Sequence, residues 1–194
     1  MSKKKNKKKK KHPNRRTKLD RTEPQALPQS LDLNLIFCTM AKKYRFEKNL
    51  LKAIALIESK LDVRAYQHEP EFFEQVLSLQ DAWKDKDPKI VSASYGLFRI
   101  MFTTAWKLGF RGQAEDLYNP VINTELGAKL LRQLMVSVRT TPNAHLWPLD
   151  IALARWHGSS QGNPGEDGLL QDQPYVNDVL GAYWGLIGEE EDCE

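Results

Sequence analysis

The chain has 194 residues, 41% hydrophobic and 28% charged, which is enough for one domain with its own core. No apolar run approaches the roughly 20 residues a membrane helix needs. The net charge of +4 comes from one end: residues 1–18 hold 11 of the 29 basic residues and no acid, leaving 18 bases against 25 acids over residues 19–194, or −7.

Residues 1–18 repel one another and have little apolar surface to bury, so they are expected to be disordered. Residues 19–30, with Pro24 and Pro28, read as a linker. Leu31, Leu33, Leu35, Ile36 and Met40 predict a first short helix capped by Ser30. The clearest helix runs from Asn49 to Ser59, where Leu50, Leu51, Ile54, Ala55, Ile57 and Leu61 make a buried stripe. Glu69 to Trp83 reads as a third amphipathic helix carrying Phe72, Phe73, Val76, Leu77 and Leu79, with Pro70 in its first turn.

Asp85 to Ser94 is polar, contains Pro88 and reads as a loop. A short apolar run, Gly96 to Met101, leads into a helix from Thr103 to Leu108, and Gly109 breaks the chain. Asn119 to Arg139 predicts a long helix, Leu149 to Trp156 another, ended by Gly158. The glycine-rich segment 159–168 reads as a flexible loop, and the last helix runs from Tyr175 to Leu186. Period-two alternation is nearly absent. The expected fold is therefore all-α over residues 31–188, between a basic tail and linker at 1–30 and an acidic tail at 189–194.

The two cysteines are Cys38, in an apolar stretch, and Cys193, in the acidic end. Their number and placement argue against a disulfide framework, so Cys38 is expected to be a small buried hydrophobe. No apolar segment follows the basic N-terminus, so no secretory signal is readable.

Glu58 carries the most information. It lies four positions after Ile54 and seven after Leu51, on or beside the apolar stripe. A carboxyl there loses hydration unless it is paired or keeps its proton, and a retained proton is what a general acid near neutral pH requires. Spacing alone leaves two readings open: a boundary glutamate reaching solvent at the helix end, or a catalytic acid.

The words around Glu58 add to this. Ala53 to Ser59, ending Glu58-Ser59, resembles the Glu-Ser motif of the soluble lytic transglycosylases of the lysozyme superfamily. Gly96-Leu97-Phe98-Arg99-Ile100-Met101 is similar to that family's Gly-Leu-Met-Gln-Ile-Met, and Thr104-Ala105 and Leu108-Gly109 follow at its spacing. Asp116 to Pro120, then Asn123 and Gly127, resemble the opening of the next family helix. Ala154 to Gly158 stands where the family has Tyr-Asn-Ala-Gly or Tyr-Asn-Gly, and Tyr175-Val176 and Val179 match its closing helix. Tyr66 to Phe72 is similar to a phage-like subset.

The resemblance covers roughly residues 45–187 and implies a lysozyme-like (goose-type lysozyme or lytic transglycosylase) domain. It implies that Glu58 protonates the oxygen between N-acetylmuramic acid and N-acetylglucosamine, then takes the proton of the muramic C6 hydroxyl as it closes onto C1. The product is a 1,6-anhydromuramic end, with no water consumed and no second acid, unlike two-carboxylate hydrolysis. Should Asp62, Glu69 or Glu71 face Glu58, a hydrolysing goose-type muramidase is the alternative. Ser59, Ser92, Ser94, Gly96, Leu97, Phe98, Arg99, Trp156 and His157 are the implied substrate contacts, with no metal and no cofactor.

Arg99 replaces the family glutamine, so it favours an ionised Glu58 or faces an acidic peptide stem or solvent. Trp156 and His157 replace tyrosine and asparagine. These departures keep open a non-catalytic peptidoglycan-binding or virion structural module. Lys3 to Lys18 suit an anionic polymer such as nucleic acid or teichoic acid, which keeps a nucleic-acid-associated protein as a further reading. A chain made in the cytoplasm without an export signal needs a route to the cell wall, and a phage-encoded or virion-associated protein has one.

Overall fold

Asp32 caps the first helix. Its carboxylate accepts from the backbone amides of Asn34 (2.9 Å) and Leu35 (3.3 Å), satisfying two of the donors that a helix start leaves open. A computed structural model describes residues 32–138, 147–158, 170, 172–187 and 193, all within the unit Asp32–Glu194. Ser30, the basic tail and linker, the 159–168 segment and the acidic end apart from Cys193 lie outside the described residues.

Helix α1 (Leu33–Tyr44) ends at Arg45 in a left-handed conformation (φ 58°), and α2 (Lys48–Ser59) ends at Lys60 and Leu61 (φ 55° and 63°). Non-glycine residues pay roughly 1–2 kcal/mol each for that backbone. The amides of Lys60 and Leu61 fold back onto the carbonyls of Leu56 and Ala55. This stop places Glu58 in the last turn of α2, where the helix leaves the core.

The fold is all-α, as expected, with one small sheet among the described residues. The stripe expected on α2 is buried: Leu51, Ala53, Ile54 and Ala55 lie in the core. Helix α2 packs on α1 and on α8 (Gln173–Leu186); α1 packs on α6 (Pro120–Val138); α6 packs on α7 (Pro148–His157), and α7 on α8. No described helix is long and apolar enough to cross a membrane.

The middle of the chain departs from expectation. The third helix is only α3 (Pro70–Gln75), followed by a 3-10 turn at Leu77–Leu79. Phe72, Phe73, Leu77 and Trp83 are gathered onto Val91 and Phe102 as a second small core, not along one helix face, which leaves Leu79 exposed. The expected loop 85–94 holds helix α4 (Pro88–Val91), capped by the Asp87 carboxylate, and then strand β2 (Ala93–Tyr95). Strand β2 is the middle of an antiparallel sheet with β1 (Tyr66–His68) and β3 (Ile100–Met101), with Gln67 opposite Ser94 and Ser94 opposite Met101. Strands this short show no readable alternation. Helix α5 (Phe102–Lys107) follows β3 directly.

Cys38 is buried as expected but is not free: it is bonded to Cys193, their Cα atoms 5.5 Å apart across 155 residues of sequence. The fold brings the two ends of the domain together, a proximity that sequence separation conceals. The Lys42 ammonium also donates to the Cys193 carbonyl. Because the bridge closes most of the chain, reducing it or substituting Cys38→Ser should lower stability by about 2–4 kcal/mol, read as a lower Tm. Thiol labelling of the folded protein without reductant should find no free cysteine; full labelling would disprove the bridge.

Candidate active site

Glu58 is half-buried at the end of α2, and two helices from the far end of the chain supply its donors. Trp156 of α7 donates its indole N–H to Oε1 at 2.8 Å, and Tyr175 of α8 donates its hydroxyl to the same oxygen at 2.6 Å. Oε2 has no hydrogen-bond partner among the described residues. Burial first, and the Glu58 carboxyl next, push the Tyr175 hydroxyl well above the ordinary phenol range, so it remains a donor.

His157 stacks on Tyr175 (ring centroids 4.4 Å, 23° between planes) and pairs through Nδ1 with Asp172 (3.1 Å). Trp156 meets Phe98 edge-on at 6.0 Å. Each of these contacts limits the rotamers open to the group beside Glu58.

The glycine-motif turn between β2 and β3 faces Glu58, and one buried amide seats it. The Asn123 side chain accepts from the Phe98 amide (2.8 Å) and donates to the carbonyls of Tyr95 (2.8 Å) and Leu117 (2.9 Å). Nearly all the amide's hydrogen-bonding capacity is thereby used without solvent. Gly96 has φ +70°, and a Cβ there would fall 2.6 Å from Asn123 Nδ2. A Cβ on Gly127 would fall 2.6 Å from the Phe98 ring. These two glycines let the turn and the Phe98 ring come close to α6.

A cavity of about 460 Å³ lies between these parts. Of the residues singled out from sequence, Glu58, Ser94, Phe98, Arg99, Trp156 and His157 line it. The other four sit behind the wall. Ser59 donates to the carbonyls of Leu97 (2.8 Å) and Ala55 (3.0 Å), tying the end of α2 to the turn. Ser92 is fully buried and donates to the Pro88 carbonyl, and Gly96 and Leu97 are buried.

Among the candidate second acids, Glu69 lines the cavity; Asp62 and Glu71 do not and are exposed. Asp62 accepts from the Arg64 amide. Gln67, Phe72, Met101, Thr104 and Leu130 also line the cavity and were not among the implied substrate contacts. Tyr175 matched only as part of the closing helix. Nothing local marks it as a partner of a glutamate 117 residues away.

Residues 36–152 match the model of the Transglycosylase SLT domain, and the chain belongs to that family, one of lytic transglycosylases acting on peptidoglycan. The match ends before Trp156, His157 and Tyr175. Neither a curated protein nor a solved structure matches the chain.

Gly127→Ala tests the seat. Alanine should gain roughly 0.5–1 kcal/mol of helix propensity, but the added methyl must displace Phe98, at a cost of roughly 1–3 kcal/mol. Net destabilisation of about 1 kcal/mol is expected in denaturant unfolding; an equally stable or more stable variant would show that the ring has room to move.

Proposed function

We propose that this protein cleaves the β-1,4 bond between N-acetylmuramic acid and N-acetylglucosamine in peptidoglycan, leaving a 1,6-anhydromuramic end. The observation that carries this reading is the asymmetry at Glu58. Both donors engage Oε1, so Oε2 is the oxygen left to hold a proton at the cavity.

Oε2–H protonates the glycosidic oxygen, the C1–O bond breaks, and the sugar gains oxocarbenium character. As Glu58 becomes ionised, Trp156 and Tyr175 stabilise the new charge with donors already in place, so no reorganisation is needed at that moment. Glu58 then accepts the C6 hydroxyl proton while that oxygen bonds to C1. Phe98 and Trp156 supply apolar wall beside the sugar.

Glu69 on the same cavity favours one second reading, hydrolysis, in which it activates water on the opposite face of the sugar. We infer action in the cell wall: the Cys38–Cys193 bridge suits an oxidising compartment, and the basic tail would serve as a tether to anionic polymer.

Purified peptidoglycan digested with wild type and with Glu58→Gln, then weighed as muropeptides, tests the proposal. Anhydro ends from wild type alone are expected. Reducing ends, heavier by one water, would establish hydrolysis, and no release from either protein would leave a binding module. Tyr175→Phe keeps the ring on His157 and removes one donor. Its kcat should fall about tenfold with little change in KM; an unchanged kcat would remove Tyr175 from charge stabilisation.

A further inference from the structure

Arg99 is a half-buried cation on the cavity wall that no carboxylate among the described residues neutralises. Its backbone closes the glycine turn at φ 45°, its amide bonded to the Gly96 carbonyl. Nε and Nη2 donate to the Ser94 hydroxyl (3.4 and 3.3 Å), and Nη2 donates also to the Gln67 side-chain oxygen. Both acceptors are neutral. Among the described residues Arg99 makes no ion pair, with Glu58 or any other acid, and Nη1 has no acceptor.

Partial burial weakens the hydration of a cation, and a planar carboxylate is the partner that a guanidinium fork fits best. Ser94 and Gln67 hold the fork from one side, which reduces the rotamer freedom lost when an anion arrives.

We propose that Arg99 receives a carboxylate of the glycan substrate and so selects strands by the charge beside the cleaved bond; this rests on the peptidoglycan reading above. That chemistry has two sources. A muramic residue stripped of its stem carries a free lactyl carboxylate. In a stem-bearing strand that group is an amide, and the nearest free carboxylate is the α-carboxylate of the second stem residue, a glutamate. Converting this group to its amide removes the charge while keeping the shape.

The test compares kcat/KM on three strand preparations: glutamate stems, the same stems amidated, and stems removed. Wild type should favour one carboxylate-bearing preparation by about tenfold over the amidated one, and Arg99→Gln should level the ratio. Preference for glutamate stems assigns the stem carboxylate; preference for stripped strands alone assigns the lactyl group. A wild type without preference, or a preference that survives Arg99→Gln, overturns the proposal.

Should Arg99→Gln fail to fold by circular dichroism, Arg99→Lys takes its place. It keeps the charge but loses the fork, so the preference should shrink, and an undiminished ratio counts against Arg99. Binding of the three preparations to Glu58→Gln protein repeats the comparison without turnover. Absent cleavage with a retained carboxylate preference in binding would therefore sink the lyase reading and leave this one standing.

Discussion

A carboxyl group half-removed from water must be met by donors, and at Glu58 they come from two other helices. The last turn of α2 holds the acid; Trp156 on α7 and Tyr175 on α8 complete it. The position of Glu58 therefore depends on the closing part of the chain packing correctly onto α2. The contacts of α7 with α8 and of α8 with α2 make that packing part of the core. The site and the fold are thus stabilised by the same contacts.

The opposite wall rests on a second buried polar group. Asn123 holds the backbone of the glycine turn by two bonds and ties it to the Leu117 carbonyl by a third, and Ser59 holds the Leu97 carbonyl from the end of α2. The two residues on either side of the Glu58–Ser59 peptide therefore have different tasks: one faces the cavity, and the other fixes the distance between the helix and the turn. A motif that reads as a single word divides, in three dimensions, into a residue on the cavity and a residue behind its wall.

The wall also shows how a departure from a family pattern is accommodated. An arginine in the turn brings a charge toward the cavity, and Ser94 and Gln67, neighbours across β2 and β1, take up part of its donor capacity. His157, another departure from that pattern, lies against Tyr175 and pairs with Asp172, so the ring buttresses the tyrosine that meets Glu58.

Periodicity along the sequence determined the long helices, because a buried stripe such as Leu51, Ile54 and Ala55 repeats at the helical pitch whatever it packs against. Motif order determined the place of Glu58 and of the turn facing it. Strands of two or three residues, the broken third helix and the Asp32 cap were beyond that reading, since none is long enough to impose a period or compete with neighbouring signals. The donors to Glu58, the separation of Ser94 from Ser92, and the Cys38–Cys193 bridge were decided only by tertiary structure. Each joins residues distant along the chain or tells adjacent ones apart by the direction of a side chain. A linear pattern carries neither kind of information until the helices have packed.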